Sequence, residues 1–253
     1  VSKLNKNSSG YIFGFALAVI LVCGVLLSTV SQALSERQYM ERELERKNFI
    51  LKSALGEEIV DMSKPDIAAM YENRVKESVV TPEGKVVEGV AVTDINLRKE
   101  YKRLEKDGSI KAGEEVRLPV YEVMNAAGDQ VEYYVFPTYG FGLWDNIWGY
   151  LALKGDLNTV QGYVLDHKGE TPGLGARITE DKVQNRYRQE KTIFDGSELV
   201  AVTMMKGEGN DYSSNAHAID GMSGATLTAD GVNNMMNTYL NLYLSFINSK
   251  KSN

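Results

Sequence analysis

Asp220-Gly221-Met222-Ser223-Gly224-Ala225-Thr226-Leu227-Thr228 sets side-chain hydroxyls among small residues, just ahead of a segment with helical periodicity. An alcohol in such a place can act as a nucleophile or accept a covalent group, given an activating base. Downstream, Val232, Met235, Met236, Tyr239, Leu240, Tyr243, Phe246 and Ile247 recur at three- and four-residue steps, which puts them on one helix face. Thr228 is expected to cap that helix, with Asp230 in its first turn. Unpaired N–H groups and the positive end of the dipole would make the preceding loop favourable for a phosphate. A capped helix start after a tight turn would account for the same residues without any chemistry. A serine hydrolase is disfavoured, because Gly221-Met222-Ser223-Gly224 lacks a residue of the G-x-S-x-G elbow and no acid–base partner is evident.

Other residues offer weaker chemistry. Gly173-Leu174-Gly175 lacks the third glycine of a dinucleotide fingerprint and follows Thr171-Pro172 rather than linking a strand to a helix, so a Rossmann site is rejected. Its glycines supply special backbone angles and close approach. Trp144 and Trp148 stand in a glycine- and aromatic-rich stretch, where packing is the ordinary role. His167 and His217 are too few and isolated for a metal centre, and none is assigned. Cys23, the single cysteine, lies in an apolar run, which excludes an intrachain disulfide and a cysteine-ligated cluster.

These residues must be carried by a membrane-tethered chain. No charged residue occurs from Ser8 to Leu34, and Tyr11 to Val30 as a helix, at about 1.5 Å per residue, matches a hydrocarbon layer of about 30 Å. A cleaved signal is the rival, since Ser31-Gln32-Ala33 resembles a small-x-small site, but the apolar run exceeds a signal core. Lys3 and Lys6 precede the span and Glu36 follows it, so the positive-inside rule puts the N-terminus in the cytoplasm and the large domain outside. The division expected is a tail over 1–10, a transmembrane helix over 11–34, a charged juxtamembrane helix over 35–56 and one extracytoplasmic domain over 57–253. With 28 basic and 34 acidic residues the chain carries −6, which argues against nucleic acid.

Past the spacer, Ser63 and Pro65 signal a helix start, with Ile67, Tyr71 and Val75 along one face. Thr81-Pro82-Glu83-Gly84 reads as a turn between Val79–Val80 and a strand over Val86–Val92. A hairpin across Ala127-Gly128-Asp129 joins Pro119–Met124 to Val131–Phe136. Leu151–Leu153, Val160–Leu165 and Leu199–Met205 read as strands, and Thr179–Gln189 as a helix. About 200 residues suffice for a single α+β domain.

The pattern Asp220, two residues, then Ser223-Gly224-Ala225-Thr226 resembles the flavinylation motif of the FMN-binding domain family. Three further blocks extend the likeness to the family of C subunits of Na+-translocating NADH:quinone oxidoreductases. They are the N-terminal span running through Glu36-Arg37-Gln38 into a charged helix, Pro137-Thr138-Tyr139-Gly140-Phe141-Gly142-Leu143-Trp144, and His167-Lys168-Gly169-Glu170-Thr171-Pro172-Gly173-Leu174-Gly175. The G subunits of the Rnf complexes share the last two blocks and are less similar in the N-terminal half. One departure is Gly169, where relatives place Glu closer to the His.

The resemblance implies that Thr226 carries FMN through a phosphoester, attached by a flavin transferase with FAD as donor. Ser223, Gly224 and Ala225 would let the loop enter that enzyme. It further implies that the loop from Glu170 to Gly175, including Gly173, lies against the isoalloxazine, with Leu174 as an apolar face and Thr171 bonding the ring edge. Leu143 and Trp144 are expected beside the flavin, and Lys206 near its N1/O2 edge. The implied role is an electron relay within a complex that oxidises NADH, reduces quinone and exports sodium, docked through its span to polytopic subunits in a bacterial inner membrane. A tethered binding module without flavin is the reading from a different class.

Overall fold

The computed structural model describes residues 8–251; Lys3 and Lys6, on which the expected orientation rests, and Val1 lie outside them. The chain divides into two compact units, residues 1–46 and 47–253.

Within the first unit runs the greater part of helix α1 (Ser9–Leu55). Phe13, Ile20 and Leu27 are among its exposed apolar side chains, and α1 is the one helix among the described residues long and apolar enough to cross a membrane. Thr29 fits this apolar run because its hydroxyl donates back to the carbonyls of Val25 and Leu26, both at 2.9 Å.

The second unit begins with the last turns of α1, where Ile50, Leu51 and Ala54 are fully buried. Gly56, at φ +64°, ends the helix as a left-handed C-terminal residue. Arg188 satisfies carbonyls there that the helix leaves free, donating to Lys52 O at 2.7 Å and Ser53 O at 3.3 Å, and also to Gln161 O at 2.8 Å. Ser63 then caps α2 (Lys64–Arg74), accepting from the Asp66 N–H.

The core is a five-stranded antiparallel meander in the order β1-β2-β3-β4-β5: Val75–Val80, Leu118–Met124, Val131–Phe141, Asn146–Lys154 and Val160–His167. A short helix, α3 (Leu97–Tyr101), lies in the β1–β2 connection, and α4 (Asp181–Gln184) follows β5. Three glycine-permitted close approaches shape the sheet's partner, α5 (Thr226–Lys251), which packs on β3 with all eight expected apolar residues buried. Phe136 and Tyr243 meet in a tilted pair, 4.7 Å between ring centroids, and the Tyr243 hydroxyl donates to Pro119 O at 2.7 Å. A Cβ on Gly140 would lie 3.0 Å from Met235, and one on Gly231 would strike Phe141 O. Gly84, at φ +80°, makes the third approach, to the backbone of α5 at Phe246.

Several expectations are corrected. Val86–Val92 is not a strand: only Val86 bridges to Val80, and Gly89 at φ +75° turns the chain away from the sheet edge. Val75 opens β1 instead of continuing α2. Thr179–Gln189 is broken into α4 and flanking 3-10 turns, because Glu180 takes extended backbone (φ −72°, ψ 132°) ahead of α4 and Gln189 leaves helical angles (ψ 54°). Leu199–Met205 contributes only the short pairs of β7 (Glu198–Leu199) with β6 (Phe194–Asp195) and of β8 (Thr203–Met204) with β9 (Ala218–Ile219). Helix α5 begins at Thr226, and Thr228 does not cap it.

Candidate functional site

Three segments meet at one end of the meander: the turn between β3 and β4, the loop after β5, and the first turn of α5. They enclose a cavity of about 340 Å³ lined by Leu143, Trp144, Glu170, Thr171, Leu174, Gly175 and residues 224–228. That size lies in the range of small-molecule sites, about 300–1,000 Å³. Leu143, Trp144, Leu174 and Leu227 are 47%, 70%, 43% and 59% exposed, so apolar surface rims the opening. Leu227 had no signal in the sequence beyond its neighbours, since a leucine in a helix reads as core.

Glu170 ties the three segments together. It is 4% exposed; its Oε1 accepts from the backbone N–H of Trp144 at 2.9 Å and of Asp145 at 3.4 Å, and its Oε2 from the Thr228 hydroxyl at 2.6 Å. Thr228 therefore anchors the loop after β5 to the helix and spends its hydroxyl there. Burial pushes the Glu170 carboxyl upward, but the Thr228 hydroxyl and the N–H groups of the β3–β4 turn outweigh it and hold the group below the ordinary carboxylate value. Glycines make the slot: a Cβ on Gly142 would lie 2.6 Å from Glu170 Oε1, and one on Gly175 would collide with both Glu170 Oε2 and Thr228 Oγ1. His167, whose role the sequence left open, accepts the Glu170 N–H on Nδ1 at 3.2 Å and so closes the loop.

At the other end of the cavity, Thr226 is the first residue of α5, half-buried, with Ala225 before it offering no side-chain cap. Ala225 N bonds Met222 O at 3.2 Å, but among the described residues the N–H groups of Thr226, Leu227 and Thr228 meet no protein acceptor. Gly224, at φ +74°, makes the turn into the helix with Leu174 close against it. An anion beside Thr226 would meet these groups and the helix dipole.

Ser223, Asp220, Gly173 and Lys206 do not line the cavity. Ser223 donates its N–H to Glu208 at 3.1 Å. Glu208 is held in turn by Arg177, at 2.9 Å, and by Arg186, at 3.2 Å, while Arg186 also donates to the carbonyls of Asp220 and Gly221. Asp220 accepts from the N–H groups of Gly209 and Asn210 at 2.8 and 3.1 Å, so its carboxylate shapes the neighbouring loop. Gly173 is exposed at φ +75°, and Lys206 is exposed beyond β8. His217 contacts Thr192 O at 2.9 Å, away from the cavity. The clamp of Arg177, Arg186 and Glu208 escaped sequence reading because scattered charges 9 and 31 residues from Arg177 form no local pattern.

The arrangement can hold a flat apolar group against Leu174 and Trp144 while a linked anion sits at the α5 N-terminus. The FMN-binding domain model matches residues 142–241, a span that contains all three segments. The C subunit of the Na(+)-translocating NADH-quinone reductase from Pseudomonas aeruginosa is 33% identical over 93% of this chain and 93% of its own length. Its counterpart in Neisseria meningitidis serogroup A is 30% identical over 99% and 97%. Among solved structures, the C subunit from Parabacteroides distasonis superposes with a TM-score of 0.69 at 28% identity, covering 85% of this chain and 96% of that one. Shewanella oneidensis NqrC superposes equally, with a TM-score of 0.69 at 26% identity, over 83% and 97%. Matching fold and identity along nearly the whole length show that the chain belongs to the family of C subunits of the Na(+)-translocating NADH-quinone reductase, an oxidoreductase complex.

Proposed function

We propose that the chain is the flavoprotein subunit of such a complex, with FMN joined by a phosphoester to Thr226 and electrons relayed through it between partner subunits as NADH is oxidised, quinone reduced and sodium exported. The observation that carries this reading is the coincidence, in one cavity, of the Thr226 hydroxyl, three N–H groups without acceptors and an apolar rim. In the attachment, Thr226 Oγ forms a bond to the phosphorus of FAD next to the riboflavin; the pyrophosphate P–O bond breaks, AMP leaves, and a base of the transferase takes the hydroxyl proton. Once attached, the phosphate would be held by the N–H groups of the first α5 turn, and Leu174 and Trp144 would shield the ring face from water. The bound flavin supplies an electron carrier able to take one or two electrons.

The span in α1 serves as a single-pass anchor in the bacterial inner membrane, with the N-terminus cytoplasmic and the flavin domain outside, where polytopic subunits of the complex would meet it. Protein co-expressed with a flavin transferase is expected to give a fluorescent band that survives denaturing electrophoresis, and Thr226→Ala to lose it. A colourless wild-type chain would support a tethered binding module instead. Sodium-dependent NADH oxidation coupled to quinone reduction by the purified complex separates this assignment from an Rnf-type role, and protease digestion of spheroplasts checks the orientation.

A further inference from the structure

Glu170 is the one charged side chain among the residues lining the cavity. The donors to its carboxylate are neutral: backbone N–H groups of Leu143, Trp144 and Asp145 and the Thr228 hydroxyl. Among the described residues no Lys, Arg or His nitrogen pairs with it. Close by along the chain, Lys168 is bound by Asp145 at 3.0 Å, and His167 accepts the Glu170 N–H on Nδ1. A Cβ on Gly142 or on Gly175 would press on the carboxylate oxygens, so the bare glycine backbone packs directly against both of them. A buried negative charge that is hydrogen-bonded but paired with no cation still acts on whatever fills the adjoining space.

We propose that Glu170 is a charge-selecting residue of this cavity: its carboxylate, paired with no cation, disfavours negative charge gained by a ring bound there, and so lowers the reduction potential of that ring and favours proton uptake with its electrons. The inference rests on the flavin reading above. A ring that takes two electrons and two protons remains neutral, whereas one that takes two electrons and one proton becomes an anion beside Glu170. The carboxylate therefore holds the second proton on the ring. Glu170→Gln keeps the shape of the side chain, and the Thr228 hydroxyl can reverse from donor to acceptor to suit it.

The test uses the full-length chain, flavinylated by co-expression and titrated with dithionite against redox dyes. With Glu170→Gln the ratio of reduced to oxidised flavin at a fixed solution potential is expected to rise about tenfold, an upward shift of about 30 mV for a two-electron couple. The absorbance of the reduced form is expected to change to that of the anion at lower pH than in the wild type. Thr171→Lys, which adds a cation to the exposed lining and leaves Glu170 in place, is expected to shift the potential in the same direction. Thr228→Val removes a hydrogen bond without removing charge and is expected to move the potential much less. Unchanged potentials in flavinylated Glu170→Gln or Thr171→Lys, or an equal shift in Thr228→Val, would overturn the proposal. If Glu170→Gln takes up no flavin, Thr171→Lys decides alone. Absence of flavin from the wild-type chain would be the failure of the flavin reading instead.

Discussion

Two glycines a few residues apart illustrate how differently a methyl group is received around Glu170. Gly175 has an ordinary backbone, but its Cβ would strike both Glu170 Oε2 and Thr228 Oγ1, and neither is a flexible end that can yield. Gly175→Ala is expected to destabilise by about 1–3 kcal/mol through overpacking and to open the link between loop and helix. Gly173 faces open space, and its cost is conformational only, since φ is +75°; Gly173→Ala is expected to cost about 1–2 kcal/mol and leave that link intact. Urea unfolding measures both, and proton exchange at the Thr228 hydroxyl separates them. Glu208 behaves differently, because its partners are charged. The hydrogen bond from Arg177, then the Ser223 N–H and Arg186, hold its carboxyl at about 2, below the ordinary 4.5. A carboxyl lowered on folding stabilises the fold fully above about pH 4.5, and loses that contribution as pH falls toward 2. Stability curves of the wild type and Glu208→Gln are therefore expected to differ near neutrality and to converge at about pH 2.

Among the elements, α5 shows why propensity is an incomplete guide. Gly231 lies inside a helix, where replacement by Ala ordinarily stabilises by about 1 kcal/mol. Here a Cβ would strike Phe141 O and lie 3.1 Å from Gly142 Cα, so its absence lets the end of β3 and the turn that binds Glu170 lie directly on the helix. Gly231→Ala is expected to destabilise by about 1–3 kcal/mol, with a lowered midpoint in thermal unfolding. The long apolar stripe of α5 and the hairpin at Gly128 were legible because each depends on neighbours within a few residues. The expected strand over Val86–Val92 failed for the complementary reason: β-branched residues favour a pleated surface, but past Val87 no strand edge receives them. Thr228 was read as a cap by position, whereas a carboxylate 58 residues earlier takes its hydroxyl.

For the molecule as a whole, the division between its units decides which fragment can stand alone. A boundary at residue 57, the natural choice from the glycine at 56, would discard Ile50, Leu51 and Leu55, which are 0%, 0% and 6% exposed. At about 1.5–3 kcal/mol for each buried aliphatic side chain, that removes roughly 4.5–9 kcal/mol, where native domains are stable by only about 5–15. A fragment over 47–253 is expected to unfold cooperatively in urea, and one over 57–253 to be largely unfolded or to bind ANS. Equal stability of the two would show that the end of α1 contributes nothing to the core.

Local order along the chain announced the apolar span, the meander's hairpins, the terminal helix and the small-residue loop before Thr226, since each follows from residue type and short-range spacing. The same reasoning brought Leu143, Trp144, Glu170, Thr171, Leu174 and Thr226 forward only through likeness to a family, with no account of how they meet. Their convergence on one cavity belongs to the folded chain: the sheet register sets the β3–β4 turn beside the loop after β5, and glycines at 142, 175 and 231 let backbone and carboxylate approach where any side chain would intervene. Which donors surround Glu170, and that none of them is a cation, depends on distances between residues far apart in sequence, and such distances exist only after packing.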